Sequence, residues 1–442
     1  MSDFVIALIL FVLTYALLFL LPKFRAWIAL GSAVVFSCWL AFFCKDIDFT
    51  LSDLVGAIDF NVLMMIAGTM GIVSLFIESK MPMRIADLLL SKFKNVKWAI
   101  VAMAQLAGIV SAFVDNVATV LMIAPIALAV CKKQNISPVS PIIAIAISSN
   151  LQGAATLVGD TTSILLGGYA NMTFFDFFVF CGKPGIFFSV ELGAILTAGI
   201  LLLIFRKETQ PLRLTEKTEV TNYFPSFLMG GVILFLILAS FIKEPTDPGF
   251  WQTVYNLRNG LICVFLLIIG IVANVCKTKS LTVTKQVFKE MDYQTLLLLA
   301  SLFVVIKGIT EAGVITKFSE LLVSLGGGNL FLMYTIIVFA SVLISAFVDN
   351  IPYVLTMLPV VTSVAASMNV APYVLYFGLL IGATLGGNIT PIGASANITG
   401  TGILRKEGYE VKARDFMKIS VPFTLTAVMT GYLFIWLFWG IL

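Results

Sequence analysis

Residues 111–125 read SAFVDNVATVLMIAP, and residues 345–359 read SAFVDNIPYVLTMLP; the stretches align without a gap, 234 positions apart, with nine identities in fifteen. Chance does not give such a match, so the chain contains an internal repeat. Each copy breaks a long apolar stretch with an Asp-Asn pair, Asp115-Asn116 in residues 98–131 and Asp349-Asn350 in residues 330–366. An Asp at membrane depth costs roughly 2.5 to 3.5 kcal/mol on insertion scales, so it must face protein, water or a ligand. We therefore read both stretches as re-entrant hairpins that enter and leave on one side, with the acid at the turn. The same offset carries NLQGAATLVGDTTSI, residues 150–164, onto TLGGNITPIGASANI, residues 384–398, with Leu, Gly, Thr, Gly and Ile shared. Upstream, with one residue of slippage, Asp59-Phe60 matches Asp292-Tyr293 and Glu78 matches Glu311.

Composition makes the bilayer the solvent. Sixty per cent of the 442 residues are hydrophobic and only 12% are charged, more apolar surface than a water-soluble domain of this size can bury. Apolar runs of about 17 to 25 residues recur where barrel strands would alternate, so the spans are helices. Spans are predicted near 4–21, 27–44, 60–77, 141–170, 185–205, 225–242, 260–276, 293–310, 373–404 and 420–440. The first lacks a basic flank and a small-residue cleavage site, so it reads as a retained span. The six Cys show no metal-ligand spacing and there is no His, which indicates neither a disulfide framework nor an imidazole metal site. The net charge of +4 lies in loops and is no nucleic-acid signal.

Basic residues sort onto two sides under this layout. Twenty-two of the 28 Lys and Arg, including Lys23, Arg25, Arg213, Lys217 and those between Lys277 and Lys289, share one side, leaving Lys45, Lys183, Lys243, Arg258, Lys307 and Lys317 on the other. The basic side is expected to be cytoplasmic and both termini outside, in a bacterial-type inner membrane; Lys307 is expected to snorkel. Five crossings separate the hairpins, so the halves are expected to have inverted orientation. The expected architecture is all-α and polytopic, with about ten transmembrane helices, two re-entrant hairpins and two broken helices. Residues 1–205 form the first repeat, 206–224 a cytoplasmic linker and 225–442 the second repeat.

The broken helices, 141–170 and 373–404, carry the remaining polar residues: Gly153, Thr156, Gly159, Asp160, Thr161, Thr162 and Ser163, then Gly387, Asn388, Thr390, Pro391, Gly393, Ser395 and Asn397. Glycine and proline weaken the helix there, and the hydroxyls and amides can satisfy freed backbone groups. Close helix packing explains small residues but not Asp160, Asn388 or Asn397. Two hairpin tips and two broken helices meeting at depth would form a binding pocket. Its candidate residues are Asp115, Asn116, Thr119, Gly153, Thr156, Asp160, Thr161, Thr162, Asp349, Asn350, Gly387, Asn388, Thr390, Ser395 and Asn397. A sodium ion would find oxygen ligands at Asp115, Asn116, Asp349 and Asn350.

At SAFVDNVATVLMIAP, GAATLVGDTTSILLGGYANMTFFDFF and GATLGGNITPIGASANITGTGILRKEGY the chain resembles the ArsB/NhaD permease family of the ion transporter superfamily, with its citrate-transporter-like domain, over nearly its whole length. The resemblance implies an elevator-type carrier in which a mobile unit with hairpins and broken helices moves against a scaffold that forms a homodimer. In related symporters the tip reads Ser-Asn-Thr and helps bind sodium and a substrate carboxylate; here Asp115 and Asp349 stand at the Ser position. Gly159-Asp160-Thr161-Thr162 is closer to the Gly-Asp-x-Thr-Thr pattern of NhaD-like sodium/proton antiporters than to the common Gly-Asp-Pro-Pro-Asn.

The expectation is a secondary active transporter, coupled to sodium or protons and without a cofactor, that exchanges a cation for protons at Asp115, Asp160 and Asp349. Efflux of arsenite or another oxyacid is an alternative, as is sodium-coupled uptake of a citrate-like or inorganic anion. Paired hairpins argue against a channel. No nucleophile-base or metal constellation argues for an enzyme.

Overall fold

The structure is a computed structural model that describes residues 3–44, 50–211, 218–246 and 249–441; Lys45, Arg213, Lys217 and the middle of the 206–224 linker lie outside the described residues. The first half runs α1 (Asp3–Leu20), α2 (Arg25–Phe43), α3 (Leu51–Ala57), α4 (Phe60–Glu78), α5 (Met81–Leu90), α6 (Val96–Ser111), α7 (Asn116–Gln134), α8 (Val139–Gly153), α9 (Thr161–Tyr169) and α10 (Ile186–Ile204). The second half runs α11 (Phe224–Ala239), α12 (Phe250–Asn256), α13 (Arg258–Thr278), α14 (Thr282–Glu290), α15 (Tyr293–Glu311), α16 (Val314–Gly326), α17 (Leu330–Ser345), α18 (Asn350–Ser367), α19 (Tyr373–Gly386), α20 (Ser395–Lys406) and α21 (Ala413–Ile435).

Local chemistry explains why these elements start and stop in step. Side-chain oxygens satisfy first-turn amides that a helix leaves unpaired, and they do so at matched positions. Asp59 and Asp292 cap α4 and α15 by accepting from the Val62 and Thr295 amides. Asn95 and Asn329 cap α6 and α17, and Asp115 and Asp349 cap α7 and α18. At the far end of each hairpin a left-handed asparagine, Asn135 at φ 54° or Asn369 at φ 55°, turns the chain out of the helix, a conformation asparagine tolerates better than most residues.

Nine helices among the described residues are long and apolar enough to cross a membrane. They include α1, α2, α4, α10, α13, α15 and α21, all placed by the sequence, together with α7 and α18, the second limbs of the expected hairpins. The breaks expected in 141–170 and 373–404 are present between α8 and α9 and between α19 and α20. The short helices α3, α5, α12, α14 and α16 do not stand out as apolar runs, being too short to span. The axis turns by 116° between α16 and α17. Lys307 Nζ pairs with Glu311 Oε1 one turn on, at 2.6 Å.

Every residue from Pro141 to Gly153 in α8 and from Val374 to Gly386 in α19 is buried, whereas α1 buries only Ala7, Thr14 and Leu18. A helix covered on all sides is a core helix, so α8 and α19 form the centre. Around them the packing is reciprocal. α2 lies on α15 as α13 lies on α4; α6 lies on α8 as α17 lies on α19; α7 meets α20 as α18 meets α9. Where described, the linker is strapped to the first half: the Val96 and Lys97 amides donate to the carbonyls of Gln210 and Glu208, and the Thr218 amide donates to Asp87.

Candidate functional site

A cavity of about 430 Å³ lies where the helix breaks converge. Its wall is built from helix starts: Asp115, Asn116 and Ala118 at α7, Asp160 and Thr161 at α9, Asn350 at α18 and Ser395 at α20, closed by Ser74 of α4 and by Glu290, Asp292 and Thr295 where α14 gives way to α15. Of the expected site residues, these include Asp115, Asn116, Asp160, Thr161, Asn350 and Ser395.

The first tip is fastened to its broken helix through side chains. Asn116 Nδ2 donates to Asn150 Oδ1 at 2.9 Å and reaches Asp160 Oδ1 at 3.4 Å, while Ser149 Oγ donates to the Asn116 carbonyl at 3.0 Å. Thr162 Oγ1 donates to Asp160 Oδ2 at 2.6 Å and lies 2.9 Å from Thr384 Oγ1. Asn150 Nδ2 donates to the Thr384 carbonyl at 2.7 Å, so residues at matching positions of the repeat touch each other at the centre. Matching hydroxyls bind the tips to the breaks: Thr156 donates to the Ala112 carbonyl and Thr390 to the Ala346 carbonyl.

The backbones at these crossings come closer than a side chain allows. A Cβ on Gly159 would sit 2.5 Å from the Gly153 carbonyl oxygen, 2.6 Å from that of Ser111 and 2.7 Å from that of Ala112. A Cβ on Gly393 would meet the carbonyl oxygens of Gly387, Ala346 and Ser345 at 2.6, 2.8 and 3.0 Å. Glycine is required at both places.

The expected residues outside the cavity wall have structural partners or none. Asn397 Nδ2 donates to the carbonyls of Gly387 and Thr390, and Asn388 Nδ2 donates to that of Ile147. The oxygens of Ser111, Thr119, Ser163, Asn388 and Asn397 are buried without a hydrogen-bond partner. An unmet buried polar atom costs about 1 to 3 kcal/mol, a cost that a bound water would relieve. Among the described residues no three His, Cys, Asp or Glu side chains group as a metal cluster; a cation here would rely on amide, hydroxyl and carbonyl oxygens beside single carboxylates.

Asp349, expected at the pocket, is absent from its wall. Its Oδ2 accepts from Arg25 Nη1 at 2.6 Å, at the start of α2. The caps of the two acids also differ. Asp115 Oδ1 accepts from the amides of Val117 and Ala118 at 3.0 and 3.4 Å. Asp349 accepts only from Ile351 at 3.1 Å, because the next residue is Pro352 and has no amide hydrogen. Arg25 binds the other oxygen, Oδ2. Conversely, sequence reasoning passed over Glu290, Asp292 and Asn150. Asp292 showed as a match to Asp59, but its place at the pocket depends on α15 packing beside the first half. Asn150 could have been found as an amide inside an otherwise apolar span.

The citrate transporter family, CitMHS, matches residues 8–382. A 46 kDa membrane protein of Mycobacterium leprae is 30% identical over 332 residues, 74% of each chain. An uncharacterized transporter of Mycobacterium tuberculosis is 29% identical over 385 residues, 86% of each chain. The YdaH transporter of Alcanivorax borkumensis superposes with a TM-score of 0.62 at 13% identity, over 95% of this chain and 98% of its own, a likeness of fold. The citrate-transporter-like part of the resemblance is thereby shown, and with it an integral membrane protein: the chain belongs to the citrate transporter family and is a membrane transporter.

Proposed function

We propose that the protein exchanges a small cation for protons across a bacterial-type inner membrane, using the cavity as its site and two inverted halves as its moving frame. The observation that carries this reading is the charge of the wall: Asp115, Asp160, Glu290 and Asp292 line it, and among the described residues no Lys or Arg does. Helix dipoles offset that charge only in part. Five helix starts, α7, α9, α15, α18 and α20, line the cavity; at about half a positive charge each they total roughly +2.5, short of the four carboxylates. The remainder calls for a cation or protons, and carboxylates that accept either in turn are the chemistry of antiport. The reciprocal helix contacts support halves related by a two-fold axis, and the basic-residue distribution supports that axis lying in the membrane plane, as an elevator-type carrier needs.

One observation favours a second reading, a carboxylate moved together with a cation. The positions matching Asp160 and Thr162 are Ala394 and Ala396, so α20 starts at the cavity wall with no acid at its cap. A helix start without an acid suits a carboxylate. Citrate, with three negative charges, would enter only with its charge cancelled by a cation.

Flux in proteoliposomes separates the readings, with sodium, lithium, arsenite, citrate alone and citrate with a divalent cation as substrates. Exchange predicts proton movement driven by a sodium or lithium gradient with no carboxylate present. Citrate uptake without that exchange would overturn the first reading in favour of the second.

A further inference from the structure

The two hairpin acids are matched by two arginines. Arg25 opens α2, and 233 residues later Arg258 opens α13, the same offset that relates Asp59 to Asp292. Their helices pack in reciprocal places, α2 on α15 and α13 on α4. Only one arginine has found an acid. Arg25 holds Asp349, with the side chains 26% and 11% exposed. Arg258 Nη1 donates to the Tyr255 carbonyl at 2.7 Å, its guanidinium carbon lies 3.9 Å from the Tyr255 ring centre, and its Nε is buried without a partner. Asp115, the acid that matches Asp349, has no ion-pair partner among the described residues and faces a cavity lined by three other carboxylates.

We propose that Arg25 and Arg258 are positioning residues that hold the two end states of the transport cycle by turns. In the state described, Arg25 fixes the second tip and leaves the first tip open to the cavity. In the opposite state Arg258 takes Asp115, Arg25 releases Asp349, and the cavity opens past the second tip. The exchange costs little net charge burial, since one ion pair forms as its counterpart breaks, whereas a buried acid left alone would be costly. It also couples cargo to motion. A cation or proton on Asp115 removes the charge Arg258 would bind, so a loaded and an empty carrier weight the two states differently. The inference rests on the inverted halves proposed above, though not on the identity of the cargo.

The test is labelling of Ala118→Cys, on the cavity wall, in full-length protein whose exposed Cys38, Cys181 and Cys276 are replaced by Ser. No substrate is added, so the result stands whether or not cation exchange is found. Arg25→Gln is expected to slow labelling by about fivefold or more, and Arg258→Gln to leave it equal or faster. Arg25→Lys should restore most of the rate, and Arg25→Asp with Asp349→Arg should restore it again, which separates a positioning role from misfolding. Slower labelling in both glutamine variants, or no change in either, would overturn the proposal.

Discussion

The two hairpin tips share the sequence Ser-Ala-Phe-Val-Asp-Asn, both cap their second limbs with the Asp, and both limbs are followed by a left-handed asparagine, yet their acids do different things. Asp115 faces an acidic cavity, and Asp349 is bound to Arg25. The divergence lies within the repeated stretches, in Ala118 against Pro352 and in Asp160 against Ala394. One proline removes a backbone donor from the second acid, and one alanine leaves the second broken helix without a carboxylate at its cap. A duplicated frame thus carries one charged site rather than two, and substituting matched positions measures how different the halves have become.

The largest effect is expected from charge. Asparagine caps a helix about as well as aspartate, so Asp115→Asn and Asp349→Asn each remove a charge while keeping the cap geometry; Asp160→Asn removes a charge at a position whose side chain makes no cap. Hydrogen bonds to charged groups are worth about 1.5 to 3 kcal/mol, and taking the loss of one charge beside a bound cation on that scale gives roughly 10- to 150-fold in affinity. We expect that loss of cation affinity at Asp115 and Asp160. At Asp349 the loss should be smaller, about the fivefold by which breaking the Arg25 pair lowers the open state, while the turnover rate changes. Binding of sodium or lithium to purified protein, measured by calorimetry beside liposome flux, checks both. Equal loss of affinity at Asp115 and Asp349 would show that the tips are functionally equivalent.

The next effect concerns packing, where the halves should behave alike. Gly159→Ala and Gly393→Ala both drive a methyl group into carbonyl oxygens closer than 3.0 Å. Overpacking of this kind costs about 1 to 3 kcal/mol. Each variant should lower the melting temperature in detergent, by similar amounts. If only one of them does, the close crossing matters in one half alone, and the likeness of the tips ends at their sequence.

Much of this frame was legible before any coordinates. Spans longer than about 17 apolar residues, the paired Asp-Asn turns and the polar breaks around Gly159 and Gly393 announce themselves, because the bilayer permits few ways to hold such residues. Six of the fifteen expected site residues line the cavity. The places of Asp349, Glu290 and Asp292 were not legible for one reason. The position of Asp349 is set by Arg25, 324 residues away, and Glu290 and Asp292 reach the cavity only through packing between halves. No local pattern encodes a partner that distant. The repeat offset does bring Arg25 and Arg258 into register, and a search for matched charges as well as matched motifs would have singled out the arginines.

The smallest expected effect bears on how the tips are held rather than what they bind. Thr156→Val and Thr390→Val each delete a hydroxyl that donates to the carbonyl of the residue after the first hairpin limb, Ala112 or Ala346. Interhelical hydrogen bonds in membranes average about 0.6 kcal/mol and reach about 1.7, so either variant should fold and transport, with a modest fall in melting temperature. The double variant distinguishes two pictures of the core. The hydroxyls are far apart in sequence, but their broken helices meet through Asn150 and Thr384. If the core acts as one block, loosening both ties should cost more than the sum of the singles; if each tip is held by its own half, the costs should add to within about 0.5 kcal/mol. Additive losses would argue for tips that move independently; a surplus would argue that they travel as one body, as an elevator requires.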